Sequence, residues 1–231
     1  MTDEQWEVVS ELIPEPHSGR TVVAGRGAAL WKDLSRRFSP YHTCHRRFQH
    51  WVRTGVLRQV LEALSQDPYE RSEIKLAECF IDGSFSRAKK GTGAEVGKTK
   101  RGAETKLMAV ADSQGVPIAA YLASASLREV TSAQATLDDR FVVEPPQRLV
   151  GDKAYDSDRL DQALLQEAIE LIAPHWSNRY QLTQDRRPLR RYRQRWKAER
   201  LFAWSHNFRC LMVRRERYPK TSSASSTSVA S

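Results

Sequence analysis

Residues Thr105 to Ser124 read TKLMAVADSQGVPIAAYLAS, two apolar arms of small and β-branched residues on either side of Ser113-Gln114-Gly115. Arms of this composition around a polar turn ending in Gly predict a β-hairpin. Upstream, AECFIDGSF (Ala77 to Phe85) reads as another strand, and the Gly/Lys stretch from Lys89 to Gly102 between them shows no periodicity and is expected to be a loop. Downstream come a helical stretch around Ser132 to Arg140 and an apolar run, QRLVGDKAYDS (Gln147 to Ser157), that ends in Gly-Asp. A helix over Asp158 to Glu167, a short strand ELIAPH (Glu170 to His175) and a long basic helix from Pro188 to about Asn207 follow. The order β-β-β-α-β-α-β-α predicts a mixed α/β fold, a central sheet with helices on its faces.

The first seventy residues have a different character. Asp3 is a candidate N-cap for a helix over Gln5 to Ile13, stopped by Pro14 and Pro16. After a Gly/Arg loop, residues Leu30 to Leu64 read as three helices broken at Ser39-Pro40 and at Thr54-Gly55. The second of these carries Arg46 and Arg47 beside Phe48 and Trp51, a helix-turn-helix-like pattern whose second helix can lie on DNA. A helical hairpin that merely packs has the same pattern. The organisation expected is a helical, DNA-binding-like region over 1–70, an α/β domain over 78–217 and a disordered Ser/Thr-rich tail over 218–231.

Charge narrows the partners. The 231 residues carry a formal charge of +9, unevenly distributed. Between Arg186 and Arg217 twelve Arg or Lys face two acids, whereas residues 107–185 hold twelve acids and six basic residues. Basic flanks around an acidic middle suit a protein that binds a polyanion and also needs carboxylates, and nucleic acid is the polyanion that rewards phosphate neutralisation by counterion release. No run of 18 apolar residues exists, and MTDEQWEVV has neither a basic nor an apolar leader region, so the expected location is the cytoplasm, at the nucleoid. Cys44, Cys79 and Cys210 are too far apart for a metal-binding pair and are expected to be reduced thiols. His42, His45 and His50 have no Cys pair to complete a zinc site.

Three acids stand out. Asp82 in FIDGS and Asp152 in LVGDKAYD each sit where an apolar strand gives way beside a Gly, a costly place for a charge unless a cation or hydrogen bonds compensate it. Each alone also fits a turn-forming aspartate. On the last helix, positions 192, 196, 199 and 203 share a face, which places Glu199 as the lone acid toward the sheet. Its plain alternative is an ion pair with Arg195 one turn earlier. Three carboxylates from two strands and a helix can hold two divalent cations about a phosphate. Oxygen ligands without Cys or His favour Mg²⁺ or Mn²⁺. Asp156, Asp158 and Asp161 read as caps and solvent-facing helix residues.

Four ordered blocks, IDGSF (81–85), VGKTKRGAETKLMAVADSQGVPIAAYLASAS (96–126), GDKAYDSD (151–158) and YRQRWKAERLFAWSHNFR (192–209), together resemble the DDE transposases of bacterial insertion sequences, in the insertion sequence five group of the IS4-like superfamily. The resemblance runs from about Glu78 to Arg217 and more loosely over 1–70. It implies a ribonuclease-H-like fold, with Asp82 on the first strand, Asp152 after the fourth and Glu199 on a following helix. It also implies two Mg²⁺ or Mn²⁺ ions held by these three as catalytic metal ligands, with Asp82 bridging both. The signature Tyr-x2-Arg-x3-Glu-x6-Lys falls on Tyr192, Arg195 and Glu199, with His206 where the family has Lys. By the same resemblance Lys153, Tyr192, Arg195 and His206 approach phosphates, and Lys98, Lys100 and Arg101 lie along DNA. The implied reaction is hydrolysis at the element's ends followed by attack of the freed 3′ hydroxyl on target DNA. The implied partners are double-stranded terminal inverted repeats and target DNA, bound by a homodimer. The sequence departs from the family in a short loop around Ala24 to Ala29 and in the Ser/Thr-rich stretch after Arg217. A truncated inactive copy, a non-catalytic DNA-binding regulator and a ribonuclease-H-like nuclease therefore stand as alternative expectations.

Overall fold

The structure, a computed structural model, describes residues 3–13, 39–70, 74–89, 93–177, 192–205 and 213–214. Its centre is a seven-stranded mixed sheet built from β1 (Cys79–Ala88), β2 (Gly97–Thr99), β3 (Gly102–Ala111), β4 (Pro117–Ser124), β5 (Arg148–Val150), β6 (Glu170–Ile172) and β7 (Val213–Arg214). The hairpin expected around Ser113 is present: β3 pairs antiparallel with β4 on one side and with β1 on the other. On its remaining side β1 pairs in parallel with β5, and β5 in parallel with β6. The lateral order β4-β3-β1-β5-β6, an antiparallel meander followed by two parallel strands, is that of the ribonuclease-H-like fold expected above.

Both faces of this sheet are covered, which is why its strands read as near-continuous apolar runs and not as clean alternation. Helices α4 (Glu129–Asp138) and α5 (Asp158–Gln166) cover one face, where Ala133, Leu137, Leu160 and Leu164 pack with Ile81, Met108, Val110 and Leu149. Helix α6 (Trp196–Ser205) covers the other, where Ala198 meets Phe80, Val150 and Ile172 while Leu201 and Phe202 meet Leu107, Ala109 and Leu122. Successive residues of β1 and β3 thus serve opposite layers.

Two differences from the sequence expectation concern extent. The stretch between Lys89 and Gly102, expected as a loop, contains β2, a three-residue strand whose periodicity is too short to register. The long helix expected from Pro188 is interrupted: Tyr192 is helical, a turn covers 193–195 and the last helix runs over Trp196–Ser205; residues 188–191 and 206–207 lie outside the described residues.

In the N-terminal region α1 (Asp3–Leu12) packs on α3 (Val56–Glu70), and α2 (Tyr41–Thr54) joins α3 through Gly55 with φ +80°. The break at Thr54-Gly55 is therefore a left-handed helix end of the kind glycine favours. The helix expected before Ser39 and the tail over 218–231 lie outside the described residues. The helical region is seated on the sheet domain: Leu61 packs with Ala120 and Phe141, and the Arg58 guanidinium grips the end of α4 through the Asp139 carboxylate at 2.5 Å and the Arg140 carbonyl. Cys44 and Cys79 are buried free thiols, and Cys210 lies outside the described residues. Among the described residues no helix is long and apolar enough to cross a membrane.

The β3–β4 turn is held by a fully buried acid. Asp112 accepts from the backbone N–H groups of Lys75 at 3.0 Å, Gln114 at 2.8 Å and Val116 at 2.8 Å, tying the turn to the segment that leads into β1. Removing the carboxylate withdraws a buried acceptor from three backbone donors, at about 1–3 kcal/mol for each donor left unsatisfied. Asp112→Ala is expected to lower the unfolding free energy by roughly 3 kcal/mol or more in urea denaturation, and Asp112→Asn, which keeps one acceptor oxygen, by distinctly less. Equal losses in the two variants would show that the acceptor role is not what the fold uses.

Candidate active site

Strand β1 pairs with β5 only through Cys79↔Leu149 and Phe80↔Val150, after which β1 runs on to Ala88 while the chain leaves β5 at Gly151. The two strands part there, and Asp82 and Asp152 lie at the mouth of the crevice. Asp82 follows Phe80 by two and so faces α6. Its Oδ1 accepts from the Gly83 backbone N–H at 2.8 Å. Asp152 caps the 3-10 turn Lys153–Tyr155 by accepting from Ala154 N–H at 2.8 Å, and the ring of Tyr155 folds back against Gly151. A Cβ at position 151 would stand 2.6 Å from that ring, so only glycine admits the fold-back.

Glu199 arrives from the other layer, though not as its spacing predicts. The face of α6 that packs on the sheet is Ala198, Leu201, Phe202 and Ser205, all buried, whereas Trp196 is half-exposed and the Glu199 side chain is 53% exposed. The stripe lies about 100° round the helix from the one expected, because Leu201 and Phe202 are the large apolar residues and their i−3/i−4 neighbour is Ala198. Glu199 stands on the shoulder of that face and makes the ion pair that was its alternative reading, Oε1 to Arg195 at 2.7 Å.

Arg195 gathers the three acids. One guanidinium nitrogen lies 3.5 Å from Asp82 Oδ2 and 3.9 Å from Asp152 Oδ2, and the other holds Glu199. Burial pushes the Asp82 carboxyl above the ordinary carboxylate range; the Gly83 N–H and Arg195 oppose that shift, and Asp152 and Glu199 add to it. Burial acts to lower the Arg195 pKa, but Asp82, Glu199 and Asp152 more than offset it, so the guanidinium is firmly cationic. Among the described residues no group of three Asp, Glu, Cys or His is arranged as a ready-made metal cage; the three carboxylates face the Arg195 guanidinium instead. The donor set is nevertheless that of a hard divalent cation: oxygen ligands only, already gathered about a positive charge.

The remaining candidate residues divide into two groups. Tyr192 packs on Phe80, Val150, Ile172 and Ala198 and lies under the Arg195 guanidinium at 5.6 Å, and Lys153 is exposed directly after Asp152. Both adjoin the carboxylates. Arg46, exposed, and Arg47, half-buried, stand on α2, while Lys98, Lys100 and Arg101 project from the β2–β3 turn near the far end of the β1–β3 ribbon. His206 lies outside the described residues.

Asp156 departs from its expected role as a cap or surface residue. Its side chain is almost fully buried, accepting from Trp176 N–H at 2.9 Å and lying 2.9 Å from His175 Nδ1, and it ties the loop after β5 to the loop after β6. Ser157 caps α5, and Asp158 and Asp161 occupy its first turn. Sequence reading missed two charged residues beside the site, Lys106 and Glu129, which pair at 3.5 Å in the α4 layer. The signal was a lysine inside the apolar run of β3, which burial obliges to find an acid.

The family described as "Transposase DDE domain" matches residues 75–227, and one described as "Putative transposase of IS4/5 family" matches residues 1–61. Over 116 residues the chain is 32% identical to the "Putative transposase for insertion sequence element IS402" of Burkholderia cepacia, covering 47% of this chain and 52% of that protein. It is 26% identical over 101 residues to the uncharacterized protein y4sN of Sinorhizobium fredii, covering 38% of this chain and 76% of that protein. Among solved structures, the piggyBac transposase synaptic complex with hairpin DNA aligns with a TM-score of 0.39 at 14% identity, over 78% of this chain and 42% of that one. The chain spans about half the length of the IS402 relative. With the family model matching residues 75–227 of 231, the chain belongs to the DDE transposases of insertion sequences.

Proposed function

We propose that this chain catalyses DNA transposition, cutting the ends of an insertion sequence and joining them to target DNA, with Asp82, Asp152 and Glu199 as ligands of two Mg²⁺ or Mn²⁺ ions. The observation that carries this reading is the convergence of the three carboxylates, from within β1, from the end of β5 and from a helix shoulder, on the single guanidinium of Arg195. When bound, two such ions supply Lewis-acid activation of the attacking hydroxyl and stabilisation of the leaving 3′ oxygen. Asp82, the most buried of the three, would hold the ions together with Asp152 and Glu199. Arg195 and the exposed Lys153 present cations beside the carboxylates, where a phosphodiester would lie. Arg46 and Arg47 on α2, and Lys98, Lys100 and Arg101 on the β2–β3 turn, extend the contact along the duplex. A homodimer joining two terminal inverted repeats, working at the nucleoid, completes the reading.

The test is cleavage and joining of duplex DNA carrying the element's terminal repeats in Mg²⁺ or Mn²⁺. The native chain is expected to nick the repeat ends and join them to a second duplex. Asp152→Asn and Glu199→Ala are expected to fall to background while retaining gel-shift binding of the repeats. Binding without metal-dependent chemistry in the native chain would instead mark a DNA-binding protein that has lost catalysis.

The electrostatics give a second test. Because the Asp82 pKa is raised on folding, the folded chain holds that proton more tightly than the unfolded chain. Stability tied to the protonated acid is complete below the unfolded value, about 4, and is lost as pH rises through the raised folded value. In EDTA at pH 7, Asp82→Asn is therefore expected to be more stable than the native chain by chemical denaturation. The gap should close below about pH 4, where the native acid is also neutral. Mn²⁺ should stabilise the native chain and leave Asp82→Asn nearly unmoved. A variant less stable than native at pH 7 without metal would overturn this account of the site's charge.

A further inference from the structure

Gly83 adjoins Asp82 and points to the opposite face of the sheet, toward α4. A Cβ there would stand 2.9 Å from Met108 Sδ, 3.3 Å from Lys106 Cδ and 3.4 Å from Glu129 Cδ, so the missing side chain gives Glu129 its close approach beside Asp82. Glu129 is the first residue of α4, where the helix N-terminus favours an acid. It is held there by Lys106, whose side chain is only 4% exposed: Nζ donates to the Leu127 carbonyl at 2.8 Å, lies 3.5 Å from Glu129 Oε1 and sits 5.1 Å over the Phe85 ring. A second buried group faces the same place. Tyr155 is completely buried, and its hydroxyl lies against Glu129, within the field of Asp82 and Asp152, without a hydrogen-bond partner of proper geometry among the described residues.

Four carboxylates thus meet from both layers, Asp82, Asp152 and Glu199 with Arg195 on one side and Glu129 with Lys106 on the other. Burial raises the Glu129 pKa, Lys106 opposes the shift, and Asp152 and Asp82 add to it, so the acids sense one another across the crevice. Arg195, Lys106 and the exposed Lys153 still leave the four carboxylates short of positive charge. A phenol hydroxyl lacking an acceptor is, in addition, a donor for a bound oxygen atom.

We propose that Glu129 is a fourth acid of this site, a positioning residue that acts on the divalent cations through a water to which Tyr155 donates, and does not ligate them directly. The proposal rests on the two-ion reading above. The competing role for Glu129 is structural: neutralising the buried Lys106. A charge-free pair separates the two, because Lys106→Met/Glu129→Gln removes the need for neutralisation along with the acid.

Mn²⁺ titration by calorimetry on the full chain without DNA tests it, with thermal unfolding of each metal-free variant alongside. The native chain is expected to bind Mn²⁺ and Asp152→Asn to lose that binding. The double variant should unfold at a temperature close to native yet bind Mn²⁺ about tenfold more weakly, the usual cost of losing an outer-shell partner. Native affinity in the double variant, with Asp152→Asn still deficient, would overturn the proposal alone. Absence of Asp152-dependent Mn²⁺ binding in the native chain would overturn the two-ion reading and the proposal together. Should the double variant fail to fold, Glu129→Asp decides in the same terms: it keeps the charge for Lys106 but withdraws the carboxylate, so weakened Mn²⁺ binding at native stability supports the proposal and native binding overturns it.

Discussion

The parallel pairing of β1 with β5 is the constraint on which the rest of the molecule depends, because it stops after two residue pairs. Up to Phe80 and Val150 the two strands share hydrogen bonds and a dry core. Beyond them β1 continues as half of an antiparallel ribbon with β3 while β5 turns away at Gly151. A sheet that parts between neighbouring strands at their carboxyl ends makes a crevice floored by backbone and walled by the helices that cover each face, the general location of sites in open α/β sheets. Everything chemically distinctive here enters that crevice.

Its electrostatics are a balance of opposed terms. Bringing carboxylates out of water raises their proton affinity, and bringing them near one another raises it again. The fold counters with Arg195 on the α6 side, Lys106 on the α4 side and backbone N–H donors at Gly83 and Ala154. These do not fully compensate, since Asp82 and Glu129 both remain shifted upward. A fold selected for stability alone would place apolar groups there. Residual negative charge in a partly dry crevice makes physical sense when a multivalent cation completes it.

How much of this is legible in sequence depends on the range of the interaction. The hairpin about Ser113 follows from local composition, as do the break at Gly55 and the position of Asp152 just past the end of β5; Asp82, expected at or near a strand end, lies within β1, which runs on past Gly83 to Ala88 because it stays paired with β3. The face of α6 is a harder case. Tyr192, Trp196, Glu199 and Ala203 form a plausible helical stripe, yet Ala198, Leu201, Phe202 and Ser205 are the ones buried, because packing on Leu107 and Ala109 outweighs the exposed ring of Trp196, while Tyr192, before the turn, packs on Phe80 and Val150. The sheet-side position expected for Glu199 thus turned into a shoulder position, with the Arg195 ion pair fixing it. Partners far apart in the chain are invisible from spacing: Lys75 to Asp112, Lys106 to Glu129 and Asp156 to His175 are joined only by the fold. Lys106 and Asp112 gave a hint, as charges within or bordering apolar runs, but a hint without a partner.

Helix α4 connects the two halves of the molecule. Its last turn is gripped by Arg58 of α3 through Asp139 and Arg140, and its first residue is Glu129, facing the crevice. A ten-residue helix is about 15 Å long and stiff at this length. The helical region therefore lies at a fixed offset from the carboxylates, set by α4 and by the Leu61, Ala120 and Phe141 contact at the edge strand. On the proposed function this matters for chemistry as well as for assembly. In-line attack on a phosphodiester tolerates little misplacement. A duplex held by α2 must be presented to the crevice in a defined register, and a helical region joined only by a flexible linker would leave that register to chance. On that proposal, seating on α4 would turn binding at one end of the helix into alignment at the other.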